Sequence, residues 1–154
     1  MSNQPTIAGC HPTPPAIPEG APCRWLRYLW AFPATAVGLV VVLIAWLSGV
    51  RAKIVDGVIE VEGGLVTAFM RRGFLGFTPA CARTIGHVIL GPDQANLDRC
   101  RIHERTHVRQ YERWGILFLP AYLASSWSAW RRGLDPYYDN RFEREAFEAE
   151  RLAS

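Results

Sequence analysis

Residues 93–114 read DQANLDRCRIHERTHVRQYERW, and this stretch decides what kind of molecule the chain forms. It has no glycine or proline, and it is rich in Arg, Glu, Gln and Leu, residues that lose little on entering a helix. Asp93 or Asn96 is placed to cap its start, and Gly115 to end it. Within it, His103-Glu104-Arg105-Thr106-His107 is an HExxH pattern. Two histidines four residues apart share one face of a helix, so both imidazoles can reach a single ion. Zinc takes neutral imidazole nitrogen readily. Glu104, beside the first histidine, is placed to take a proton from a water on that ion. Arg105 departs from the usual pattern, in which the two residues between Glu and the second His are uncharged.

A catalytic zinc site needs a third protein ligand and leaves a fourth position for water. The residues alone offer several candidates. Glu143 and Glu145 lie downstream in a charged segment at 140–146. Cys100 stands one turn before His103. His87 lies in an apolar run at 84–90. A Cys100–His103–His107 trio would make a structural or thiol-blocked site rather than a hydrolytic one.

Upstream of the helix the pattern is that of strands. Ile54-Val55-Asp56-Gly57-Val58-Ile59 is two β-branched runs around Asp-Gly, the signal of a type I′ hairpin. Val61, Gly63 and Gly64 mark another strand end. Residues 84–90 form a further strand candidate, closed by Gly91-Pro92. Residues 71–77 read as a glycine-punctuated loop. Downstream, residues 114–130 are uncharged but carry Pro120 and three serines, and a last helix is expected over 142–152.

Further out lies the membrane signal. Residues 28–50 run without a charge, long enough to cross a hydrocarbon core of roughly 30 Å. Arg24, Arg27, Arg51 and Lys53 flank the run, and Trp25, Trp30 and Trp46 lie toward its ends, as interfacial anchors do. Pro33 falls near its start, where a missing amide matters least. The leader and the apolar core are both too long for a cleaved signal peptide. Residues 1–27 form a proline-rich arm with few charges. The expected organisation is an arm at 1–27, a transmembrane helix at 28–50 and a domain at 51–154. The weak second run at 114–130 is read as interfacial or packed. If it crossed the membrane, His107 and any ligand at 143 would lie on opposite sides.

Composition excludes other classes. Hydrophobic residues are 49% of the 154 and charged residues 20%, unlike a disordered chain. The net charge of +3 is spread out, so no nucleic-acid partner is called for. The arginines of the 93–114 helix alternate with acids as on a solvated face, with Arg109–Glu112 one expected pair. Anionic lipid headgroups are their alternative partner. The four cysteines lack CxxC spacing and read as free thiols of a reducing compartment. That agrees with a slight basic excess after the span, which places the C-terminal domain in the cytoplasm.

HExxH followed some tens of residues later by Glu-x-x-Ala resembles the gluzincin metallopeptidases, most closely the membrane-associated ones. Their third ligand is the glutamate of a Glu-x-x-Ala-Asp segment. Residues 103–122 also look like a group of small, membrane-anchored bacterial proteins. The resemblance covers about residues 80–150. It implies an α+β, zincin-like domain with short strands before the HExxH helix; the arm and the span lie outside it, and the span gives the expected single-pass place in a bacterial inner membrane. It further implies one Zn2+ per chain on His103, His107 and Glu143, with Glu104 as general base. The substrate would be a peptide or protein segment near the membrane, paired to an edge strand beside the HExxH helix. Phe147 stands where the family has Asp, so a ligand histidine needs support from elsewhere. Asp139, Glu145 and Glu148 are candidates, and Tyr137, Tyr138 or His87 could aid an oxyanion. The rival reading is a membrane-anchored interaction protein without catalysis, holding a structural metal or none.

Overall fold

The computed structural model describes residues 24–72 and 81–153. The chain is α+β. Helix α1 (Arg24–Trp46) comes first, then strands β1 (Arg51–Val55) and β2 (Val58–Glu62) and helix α2 (Gly64–Arg72). Strands β3 (Arg83–Ile85) and β4 (Val88–Gly91) follow, and then helix α3 (Gln94–Trp114). A short 3-10 turn (Gly115–Leu117) leads into α4 (Phe118–Arg131), and α5 (Arg141–Ala153) ends the fold.

The Asp-Gly hairpin forms as the sequence indicates. β1 and β2 pair antiparallel with Val55 opposite Val58. Asp56 and Gly57 both take positive φ, 47° and 81°, which a type I′ turn requires. The run at 84–90 is not one strand. Gly86 and His87 turn the chain, and β3 folds back on β4 antiparallel. β4 also pairs parallel with β2, giving the order β1-β2-β4-β3.

Alternation along the strands sends side chains to two layers. Val61, Val88 and Leu90 meet Ala45 of α1 and Val66 and Met70 of α2. Val58 and Ile89 meet Leu97 and Val108 of α3 on the other face. α5 and the start of α4 pack beyond α3 around Tyr111, Phe118 and Phe142.

Four expectations need correction. The apolar helix begins at Arg24 and ends at Trp46, several residues before the expected end, because residues 47–49 turn into β1. Pro33 therefore lies inside the helix rather than at its start. Gly63 and Gly64 end β2 but also open α2, a helix the sequence pattern did not indicate. Of the expected loop, Arg71 and Arg72 belong to α2, and residues 73–77 lie outside the described residues. Lastly, Cys81 and Cys100 are not free thiols but form a disulfide. Disulfides persist in oxidising compartments, so the thiol argument for a cytoplasmic domain falls. Cys10 and Cys23 lie outside the described residues.

Among the described residues, α1 is the one helix long and apolar enough to cross a membrane. α4 is a packed helix whose outer side leaves Leu119, Leu123 and Trp127 exposed.

Candidate metal centre

α3 is built to hold its two histidines still. The Asp93 carboxylate accepts from the backbone N–H of Asn96 and caps the helix. Gly115, at φ 55°, closes it by donating its N–H to the Tyr111 carbonyl. Leu97 and Val108 bury one face on the sheet. Arg105 points away from the histidines, donating 2.7 Å to the Val55 carbonyl and pairing with Asp56. The unusual charge inside HExxH thus pins the hairpin to α3 and leaves the site clear. The neighbouring arginines pair across elements as well. Arg101 reaches the buried Glu60, Arg113 reaches Glu145, and Glu112 faces His87 rather than Arg109.

α5 brings Glu143 to the histidine face. His103 Nε2 lies 3.1 Å from Glu143 Oε2 and 3.2 Å from His107 Nε2. His107 Nε2 lies 3.4 Å from Glu143 Oε1. Ligand atoms around an ion with bonds of about 2.0 Å sit roughly 3.3 Å apart in a tetrahedron. The two imidazole nitrogens have that spacing, each meets one oxygen of Glu143, and one ligand atom from each of the three buried residues lies within 4.8 Å of the others.

The hydrogen bonds also set the tautomer. Gln110 spends its amide N–H groups on the Phe142 carbonyl and on Glu145. Its oxygen, 2.8 Å from His107 Nδ1, must accept. Nδ1 then carries a proton, so Nε2 is the atom that faces the cluster: it donates to Glu143 in the metal-free protein and offers a lone pair once that proton is lost. His103 presents Nε2 likewise and turns Nδ1 toward Glu150 Oε2 at 3.7 Å. Two imidazoles and a carboxylate, with His107 held by Gln110 and Glu143 by Tyr122, fit a divalent metal that displaces the Nε2 protons.

Glu104 is buried beside them and accepts 2.6 Å from the Thr84 hydroxyl on β3. Burial pushes its carboxyl above the ordinary value, with Glu143 adding to this, against the pull of His107, Thr84 and His103. For Glu143 burial acts upward, but hydrogen bonds from His103, His107 and Tyr122 outweigh it and hold the carboxyl well below the usual range. For His107 burial acts downward, and the Glu143 and Glu104 carboxylates reverse it, so the imidazole is raised. Tyr122 donates 2.7 Å to Glu143 Oε1, and Tyr137 lies near the same carboxylate. Burial, with Glu143 next, pushes both phenols up.

The remaining candidates lie elsewhere. Cys100 is committed to Cys81. His87 is buried between Thr35, 3.1 Å from Nδ1, and Glu112, 3.3 Å from Nε2. Glu145 acts one remove away, through Gln110. Asp139 holds the backbone of Asp135, and Glu148 pairs with Arg151. Phe147 lays its ring edge against His103 with centroids 4.8 Å apart. The supports for the histidines are therefore Gln110 and Glu150, which the sequence reading missed. Their i+3 and i+7 offsets from His107 and Glu143 were the available signal. Tyr122 was missed because it sits in a run read only for its hydrophobicity. Comparison of the chain with protein-family models, with curated proteins and with solved structures finds no match.

Proposed function

We propose that this is a membrane-attached, zinc-dependent peptidase of zincin type, with one zinc on His103, His107 and Glu143. The observation that supports it is the convergence of two Nε2 atoms and a carboxylate, with Glu104 next to the first histidine on the same helix. Zinc, when bound, supplies a Lewis acid that acidifies water and polarises a carbonyl. Glu104, its carboxyl raised by burial, takes the proton of the attacking water and hands it to the leaving amine. Thr84 orients that carboxylate through Oε2. β3 is an edge strand beside α3, so an extended peptide can add to it and lie along the site. α1 supplies the membrane attachment, and the disulfide favours an oxidising compartment for the domain.

The test is metal content per chain in protein purified in detergent, for the wild type and for His103→Ala, His107→Ala and Glu143→Ala. About one zinc in the wild type, lost in all three variants, is the expected result. A wild type that stays empty after zinc loading sinks the reading. Glu104→Gln should keep metal and fold and lose peptide hydrolysis by about 10²–10⁴-fold.

Burial supports a second reading. His103, Glu104, His107 and Glu143 are each less than a tenth exposed. A closed site of this kind suits a structural metal whose binding energy is folding energy, in a non-catalytic membrane-anchored interaction protein. Metal present, with no hydrolysis by the wild type of peptides embedded in or near a bilayer, would favour it.

A further inference from the structure

We infer that α1 lies in the plane of a membrane surface, with its outward face in the acyl-chain boundary, and does not cross the bilayer. This rests on the packing of α1 and is independent of the metal.

α1 is tied to the rest of the fold from end to end. Tyr28 stacks on His87 with ring centroids 4.4 Å apart. Trp30 lies against Gly115. Thr35 Oγ1 accepts from the His87 backbone N–H at 3.2 Å. Gly38 abuts Ile85 and Val88, and Ala45 sits in the core with Val61 and Leu90. Residues 31, 34, 35, 38, 41, 42 and 45 thus form one inner face at helical spacing, which packs on α3 and the start of α4 at its first part and covers the sheet over the rest.

The sheet has two open edges, β1 and β3. β1 also exposes Arg51 and Lys53. Were α1 to stand across a bilayer, it would carry this sheet to membrane depth. Hydrocarbon tolerates neither unpaired strand edges nor such charges. A helix lying flat keeps the sheet in water and puts only its outer side into lipid.

The outer side suits that placement. Trp25, Leu29, Phe32, Val40, Leu43 and Trp46 are all exposed, at three- and four-residue spacing within 25–32 and within 40–46, with two turns between. A soluble monomer rarely leaves a contiguous apolar patch of more than a few hundred Å² in water. Trp25 and Trp46 mark the two ends, where indoles favour the headgroup level. The surface continues past Trp30 onto the exposed Ile116 and Leu117. A free interfacial helix carries a polar inner face; here the sheet takes that place. The occupant is therefore a fluid phospholipid bilayer.

The experiment uses the full chain in phosphatidylcholine–phosphatidylglycerol vesicles, with an epitope tag at each end and protease added outside. In addition, a fluorophore is placed in turn at Leu26, Val37 and Ile44, and its depth is read by spin-labelled lipids. Both tags on the same face of the membrane, with the three positions equally shallow at about 5–10 Å below the headgroups, is the expected result. Tags on opposite faces, with Val37 near the bilayer centre, would overturn it in favour of a span. Protein that leaves the vesicles and runs in water as a dimer would overturn it in favour of a second copy covering the stripe. The tag arm uses the unsubstituted chain, so sidedness is read even where a labelled variant fails to fold.

Discussion

At the residue scale, the centre depends on what stands behind each ligand. Phe147 stands where an Asp would be expected to support a histidine. Here a ring edge fills that place against His103, and a carboxylate approaches from one turn further, at Glu150. Glu150→Gln should weaken zinc affinity about 10–100-fold while saturating zinc still fills the site. Gln110→Leu should do the same through His107, whose Nδ1 proton would lose its acceptor. Competition titration with a chelator measures both, and wild-type affinity in Glu150→Gln would remove that carboxylate from the site. Titration behaviour follows from the same contacts. Glu143, lowered from 4.5, stabilises the fold above that pH and stops doing so as pH falls below it. His107, raised from 6.5, stabilises below 6.5 and stops as pH rises through its folded value. Glu104, raised from 4.5, adds a cost once ionised. Metal-free protein should therefore melt highest between about pH 4.5 and 6.5, and lower as pH rises further. Saturating zinc should reverse the alkaline trend, since metal binding expels the ligand protons. Melting curves across pH, with and without zinc, check the sign.

At the element scale, the clearest joint is α1 on the sheet. A Cβ at Gly38 would meet the Ile85 carbonyl at 2.8 Å and Val88 at 2.9 Å. Both neighbours are held in the β3–β4 hairpin, so Gly38→Val should destabilise by about 1–3 kcal/mol through overpacking. Val37→Ala, one residue away on the exposed side, should change stability by less than about 0.5 kcal/mol. Denaturant titration in a fixed detergent compares them. Element by element, legibility followed local chemistry. The Asp56-Gly57 turn, the Asp93 cap and the Gly115 stop were readable because each is set by one or two residues. α2 was not readable, since its two glycines look like a strand end and its burial is supplied by α1 and β2. The run at 84–90 read as one strand because its apolar residues are continuous. The reversal at Gly86 is set by Thr35, which packs where a Cβ would stand.

At the scale of the whole molecule, two of the long-range ties to α3 join it to the sheet and to the chain before β3. One is the ion pair of Arg101 with the fully buried Glu60, backed by Lys53. The other is the disulfide from Cys81, just before β3, to Cys100, one turn before His103. It closes a segment of sequence separation 19 that includes the β3–β4 hairpin. By the chain-entropy argument such a closure contributes about 3 kcal/mol. Cys100→Ser should therefore lower the unfolding free energy by about that amount, and dithiothreitol should do the same to the wild type. Unfolding curves with and without reductant test this. Equal stability in both would show that the two thiols are not joined in solution.

The sequence by itself determined the HExxH helix, its ends, the hairpin before it and the α+β class. These depend on helical spacing, capping and turn chemistry, all local in the chain. It also narrowed the third ligand to four residues and singled out an apolar helix. Only the tertiary structure separated those four, because bringing Glu143 within 3.1 Å of His103 depends on how α5 docks on α3. It likewise joined Cys81 to Cys100, found Gln110, Glu150 and Tyr122 behind His107, His103 and Glu143, and laid α1 along the sheet. Hydropathy records that a helix is apolar on every side. Which side meets protein depends on the shape of a sheet assembled from residues 51–62 and 83–91, and a one-dimensional pattern carries no such shape.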